Sequence, residues 1–320
     1  MTDIIERYYE AGVTDGLPVV PPTAENIAAM VAAMGQPEDY VLGVLQPSGA
    51  QIRVKELAIN AVMAGCLPEY GPVVFAAIKA FLTEKFTPWG IAVSTKGCAP
   101  LIIVNGPIRT KIGLNSQGSV FGSGSRANAT IGRAVRLVLQ NVCRAKAPVI
   151  DRAALGHPGK FTYCIAEDEE GSPWEPLHVE RGWPKTQSTV TLLGAEAPRQ
   201  VTIVTRRAEE ILFAIADTIA CVGMYLPGNY YLVVFAKEHR DILAAQGWNK
   251  ASIRRYIMEN AVLTKKQLQR AGLDEKKSPQ MIQSPEQLLL LAAGGSAGPF
   301  SCVVPGWSWM SQPVTVAITP

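Results

Sequence analysis

The sequence predicts an α/β fold made of two α/β halves, with mixed sheets and glycine-rich loops at a shared cleft. Three observations lead there. An apolar strand pattern runs into a glycine-rich loop twice, at 101–124 and at 288–298. The first of these loops opens into a helical pattern, the strand, loop, helix order that suits ligand binding at a strand's carboxyl end. The chain has 320 residues, 48% of them apolar, which is enough to bury a large core. The halves are drawn at 1–150, carrying the first loop and its helix, and at 151–320, carrying the second loop.

Taken in order, residues 2–12 read as a short helix. Residues 14–23, TDGLPVVPPT, form a turn-rich segment because proline fixes the backbone and removes donors. Thr23 can cap a helix whose Ile27, Met30, Val31 and Met34 recur at helical spacing, and Gly35 ends it. A strand over 40–45 precedes a helix over 54–65 with Leu57, Ala58, Ala61 and Val62 on one side. A strongly apolar helix follows at 73–82, then strands at 89–94 and 101–104. In the second half, strands are predicted at 161–166, 188–193 and 200–204, the last two joined by a turn. The helix at 208–222 turns Ile211, Leu212, Ile215 and Ile219 inward. A strand at 230–236, helices at 237–246 and 250–262, an exposed excursion over 264–284 and a strand at 288–292 complete the reading.

The densest chemistry lies in 105–142. Gly118, Gly122 and Gly124, interleaved with Ser119, Ser123 and Ser125, precede a helix on which Arg126, Thr130 and Arg133 share one stripe. Ser125 suits the N-cap. The first N–H groups of that helix, reached through glycine, suit an anion or a polar carbonyl. Asn105, Gly124, Ser125, Arg126, Asn128 and Arg133 are therefore candidate substrate-binding residues, with Gly295 and Ser296 supplied by the second loop. A glycine-rich surface turn before a core helix, with both arginines solvated, explains the same residues without a ligand. The loop has neither a Walker A ending nor G-x-G-x-x-G spacing, so neither ATP nor NAD is implied and the cofactor is left open.

Candidate catalytic groups are Cys66, Glu69 and Glu167. Cys66 sits past a predicted helix end, three residues before Glu69, with the parts of a nucleophile and a proton acceptor. A helix C-terminus raises a thiol pKa, and a buried structural cysteine is the competing reading. Cys98 lies near Lys96, where a cation favours the thiolate. Glu167, Glu169, Glu175 and His178, with His157 upstream, could assemble an acid–base or metal site, but their spacing matches no compact ligand motif and a solvated loop is the simpler reading. Residues 294–298 fit G-x-S-x-G, yet no histidine follows Ser296, the last being His239. Across a shared cleft, Ser296 and Cys302 would face Arg126 and Asn128.

Net charge is +3 with the basic residues dispersed, which argues against nucleic acid as a partner. No apolar run reaches the roughly 18 residues of a spanning helix, which argues against a membrane role. The first residues read as an amphipathic helix start rather than a signal peptide, and the six cysteines form no C-x-x-C pair. Reduced thiols in a cytoplasmic protein are expected. Trp307 and Trp309 allow a homo-oligomer or a place as a partner subunit.

The stretches AGCLPEYGPVV, FGSGSRANATIGRA, SPWEPLHVERG and GGSAGPFSCVVPGW resemble those of a family of uncharacterised bacterial proteins. Some of its members accompany the thiol or selenol proteins named for a U-G-S-C motif. This chain has no U-G-S-C or C-G-S-C run, so the resemblance implies neither redox chemistry nor a catalytic residue.

Three functions follow from the residues. One is an enzyme acting on a small anionic or carbonyl compound by hydrolysis, hydration or elimination, with the helix N-terminus, Arg126 and Arg133 binding the anion. The others are a thiol-dependent oxidoreductase using Cys66, Cys98 or Cys302, and a non-catalytic metabolite-binding or partner subunit.

Overall fold

Strands buried on both faces read as unbroken apolar runs, and this chain has three: LIIV at 101–104, YLVVF at 231–235 and LLLL at 288–291. They form the middle of a four-layer α/β/β/α arrangement. The computed structural model describes residues 3–274 and 279–319. Residue 2 of the first predicted helix and residues 275–278 of the predicted excursion lie outside the described residues.

Helices α1 (Ile4–Glu10) and α2 (Ala24–Met34) lead to a hairpin of β1 (Val41–Leu45) and β2 (Ala50–Arg53). Helices α3 (Val54–Ala64), α4 (Gly71–Phe81) and α5 (Pro88–Ala92) follow, then β3 (Ala99–Asn105), α6 (Ile108–Lys111), α7 (Arg126–Asn141), β4 (Cys164–Ala166), α8 (Leu177–Glu180) and β5 (Thr189–Ala195). The chain continues through β6 (Arg199–Thr202), α9 (Ala208–Ile219), β7 (Tyr231–Phe235), α10 (Lys237–Ala245), α11 (Lys250–Asn260), α12 (Lys265–Arg270), β8 (Leu288–Ala292), β9 (Phe300–Pro305) and β10 (Val314–Ala317).

The α/β class and mixed sheets hold. The first sheet has the order β10-β5-β3-β4 and the second β6-β9-β7-β8. Their pairings repeat: β3 runs parallel to β4 and antiparallel to β5, as β7 runs parallel to β8 and antiparallel to β9. The edge strands are exchanged. β6 follows β5 in the chain but joins β9, while β10 follows β9 but joins β5. Ser188–Leu193 and Gln200–Val204 therefore do not make a hairpin, and a cut at residue 150 separates β3 from every strand of its own sheet.

Alternation within each strand sorts the side chains. Leu101, Ile103, Ile165, Leu193, Leu232, Val234, Leu289 and Leu291 pack between the sheets. Ile102, Val104, Val190 and Leu192 face outward to α3, α4 and α7, and Tyr231, Val233, Phe235 and Leu290 face outward to α9 and α11. Each such Leu, Ile or Val contributes about 1.5–3 kcal/mol on burial, so this double-sided strand packing joins the two helical layers into one core.

Local signals hold at the helix ends: Thr23 Oγ1 accepts from Asn26 N at 3.2 Å, and Gly35 closes α2 with φ +67°. Elsewhere packing overrides pattern. The predicted strand over 89–94 is helical through Ala92, because Pro88 begins α5 at a position where its missing N–H costs nothing. The excursion over 264–284 is anchored: Leu268, Met281 and Ile282 are fully or almost fully buried beside α9 and α11. Strands β2, β9 and β10 are additions to the sequence reading. Among the described residues no helix is long and apolar enough to cross a membrane.

Candidate functional site

The helix predicted to open at the glycine-rich loop does so. Ser125 is its N-cap, accepting from Asn128 N at 3.3 Å. The side chains around it are committed elsewhere, however. Asn128 is buried and pins the loop: its Oδ1 accepts from Asn115 N and Ser125 Oγ, both at 2.8 Å, and its Nδ2 donates to Asn115 O at 2.9 Å. Arg133 grips Asp15 through two hydrogen bonds of 2.8 and 2.7 Å and also donates to Leu17 O. Arg126 donates through Nε and Nη2 to Gly65 O at the C-terminus of α3, where a cation complements the helix dipole. The expected two-arginine anion cradle is thus corrected: Arg133 is a structural ion pair, and both ends of the Asn128 amide are engaged in holding Asn115 and Ser125. Gly124 supplies a turn with φ +116°.

Cys66 is buried, and burial pushes its thiol up to about 12 against the pull of the Thr130 hydroxyl and of Arg126 and Arg133. It is not a ready nucleophile. Burial likewise lifts Cys98 to about 11 and Cys302 to about 12. Glu69 lines a cavity of about 560 Å³ with Ile108, Lys111, Ser188 and Ile318, whose lining includes neither Cys66 nor Glu167.

The polar centre of the molecule lies where β3 and β4 end. Val104 pairs with Ala166, so the next residues along, Asn105 and Glu167, emerge side by side. Asn105 Nδ2 donates to Glu167 Oε2 at 2.6 Å and to Glu169 Oε1 at 3.0 Å. Glu169 Oε1 also receives Gly106 N at 2.7 Å and faces Arg109 Nε at 2.9 Å. Gly106 is required here. It has φ +84°, and a Cβ would sit 2.5 Å from Gln187 O. Arg109, itself buried, donates to Glu167 O at 2.7 Å and grips Glu170 with 3.2 and 2.9 Å contacts.

Glu167 is fully buried. Its Oε2 also accepts from Leu177 N at 2.8 Å, whereas its Oε1 has no hydrogen-bond partner among the described residues, and neither does Asn105 Oδ1. Burial raises the Glu167 carboxyl above its ordinary value, overcoming the Lys250 charge and the hydrogen bonds from Leu177 and Asn105, with Glu169 adding to the rise. His178 is also fully buried; neither ring nitrogen completes a hydrogen bond among the described residues, and Nδ1 stands 3.9 Å from Glu169 Oε1. Burial lowers its pKa, which keeps the imidazole neutral. The solvated-loop reading of Glu167, Glu169 and His178 is therefore replaced by a packed cluster. His157 lies elsewhere, against Tyr163 with ring centroids 5.5 Å apart, and Glu175 is exposed.

The second sheet closes on this cluster from the other side. Asp168 N donates to Ala292 O at 2.7 Å, and Asp168 Oδ2 accepts from the buried Arg240 Nη1 of α10 at 2.8 Å. Gly294 N donates to Ser116 O at 2.8 Å, and a Cβ on Gly295 would lie 2.9 Å from Gly118 Cα. The two glycine-rich loops meet. Ser296 is exposed on a loop that leads into β9 rather than a helix, so it is no nucleophile elbow, and His239 is held by Ser301 Oγ and Ile203 O.

Arg109 and the Asp168–Arg240 pair are site features that the sequence reading missed. A signal was present: EDEE directly after a buried apolar strand leaves charges where only strand-end partners can satisfy them. No group of three or more His, Cys, Asp or Glu among the described residues is arranged to hold a metal ion. Trp307, read as a candidate for association, is tied within the chain by donating to Ser94 Oγ at 2.8 Å, while Trp309 is exposed. Compared with known protein families and with curated proteins, the chain matches none.

Proposed function

We propose that the protein is an enzyme acting on a small anionic or carbonyl compound by hydration, elimination or hydrolysis, with Glu167 moving the proton. The observation that carries this reading is Glu167 Oε1: a buried carboxyl oxygen without a hydrogen-bond partner among the described residues, on a group that burial pushes above the ordinary carboxyl range and so makes readier to hold a proton. Leu177 N and Asn105 Nδ2 hold Oε2 and orient the carboxyl, leaving Oε1 for substrate. His178 and Asn105 Oδ1 are likewise buried without hydrogen-bond partners among the described residues, and both side chains reach Glu169.

The anion half of the proposal rests on the start of α7. Asn115 is fastened to Asn128 in its first turn, Ser116 to Gly294, and Ala292 to Asp168, so a short chain of hydrogen bonds links that helix end to the carboxylates. Arg126, exposed, is the remaining cation there. The raised thiols of Cys66, Cys98 and Cys302 favour proton transfer over thiol chemistry.

The test is proton NMR in heavy water on a panel of 2-oxo acids, 2-hydroxy acids, lactones and simple esters, following both product and deuterium exchange next to the carbonyl. The wild-type protein is expected to act on at least one class, and Glu167→Gln to slow that action by about 10²–10⁴-fold while remaining folded by circular dichroism. An unchanged rate in Glu167→Gln, or no reaction by the wild type with any class, overturns the reading.

A further inference from the structure

A second polar cavity, of about 760 Å³, lies between the later half of α7 and the loop over 146–161. It is within the size range of small-metabolite sites. Arg136, Lys146 and Lys160 line it, together with one buried carboxylate, Asp151. Arg136 Nη1 lies 3.0 Å and Lys160 Nζ 2.8 Å from Asp151 Oδ2, so two cations already serve a single carboxylate. Lys146 is exposed and, among the described residues, donates to Gly12 O. The other acid at the wall, Asp15, is cancelled by Arg133. His157, also in the wall, is kept neutral by burial and by the charge of Lys160.

Three cations against one uncancelled carboxylate leave a positive surplus of two. Packing does not require it, since the Asp151 charge is already met by Arg136 and Lys160 without Lys146. The Arg136 and Lys160 side chains keep 15% and 14% of their surface exposed, which brings both to the cavity. The rim is apolar: Leu155 is 97% and Phe161 48% exposed. A lone exposed leucine needs no explanation; a leucine and a phenylalanine at the mouth of a cationic cavity match a ligand with a charged head and an apolar body.

We propose that this cavity binds a soluble phosphate monoester, or an equivalent dianion, bearing a short apolar substituent. Arg136, Lys146 and Lys160 take the head, and Leu155 and Phe161 take the substituent. The site is distinct from the Glu167 cluster and does not depend on its assignment.

Isothermal titration of the full-length protein at low ionic strength, with hexyl phosphate and with inorganic phosphate, tests it. Hexyl phosphate is expected to bind one to one and about tenfold more tightly than inorganic phosphate, equivalent to about 1.4 kcal/mol. Lys146→Ala should weaken both ligands by about fivefold. Leu155→Ser should weaken hexyl phosphate alone by about threefold. Both residues are exposed, so both variants are expected to melt like the wild type. Three results overturn the proposal: no binding of hexyl phosphate at millimolar concentration, binding that neither variant changes, or capture by phosphatidate vesicles without binding of the monomeric ester.

Discussion

At the carboxyl end of β4 the chain carries Glu167, Asp168, Glu169 and Glu170, whereas at the matching end of β8 it carries Ala293, Gly294 and Gly295. The two strands occupy the same place in sheets of the same pairing pattern. Their ends also abut, through Asp168 N on Ala292 O. Two acidic clusters could not share that space, because unpaired like charges held together away from water are strongly destabilising. The end of the first sheet supplies the charges and their partners; the end of the second supplies backbone close enough to shut the site, with Gly294 at φ +106° and Gly295 against Gly118. A repeated scaffold has become an asymmetric site by divergence at strand ends.

The largest effect on stability is expected from breaking the Asp168–Arg240 ion pair, which ties the end of β4 in the first sheet to α10 beside the second. Asp168→Ala leaves Arg240, 1% exposed, without its carboxylate, and should cost about 3–5 kcal/mol in chemical denaturation. Adding Arg240→Met should recover much of that loss; a double variant no better than the single one would mean that the pair's charge is not what matters. A smaller effect separates the two glycine-rich loops. Gly295→Ala forces a Cβ to 2.9 Å from Gly118 Cα and should cost about 1–3 kcal/mol, while Gly118→Ala meets Gly295 Cα only at 3.9 Å and should be close to neutral. Equal melting temperatures for the two variants would remove the close approach as the reason for glycine in the second half.

The smallest expected effect concerns pH. A carboxyl whose folded pKa is raised stays protonated in the fold after the unfolded chain has released its proton. Its contribution is full below about pH 4.5, the ordinary value, and is lost as pH rises through the folded value. The melting temperature of Glu167→Gln minus that of the wild type should therefore increase as pH rises from about 4.5 through the folded value. A difference that shrinks over that range would show Glu167 to be held ionised instead.

Much of the architecture could be read locally. Thr23, Gly35 and Ser125 act as caps where their types predict, because a cap is completed within about four residues. The apolar runs at 101–104 and 288–292 are strands because only a strand covered on both faces uses such a run. The candidate site was legible in part. Asn105 and Glu167 were named and do meet, but Arg126, Asn128 and Arg133 were read as free because their partners, Gly65, Asn115 and Asp15, could not be assigned from spacing.

By itself, then, the sequence determined the α/β class, the helix boundaries at their caps, the buried strands and the presence of two glycine-rich loops. Tertiary structure decided which sheet each edge strand joins, as β6 and β10 show, and which charge each arginine meets, as with Arg133 and Asp15, 118 residues apart. The division is physical. Caps and periodicity are short-range and persist in any context, whereas strand pairing and buried ion pairs exist only between groups that packing brings together and removes from water.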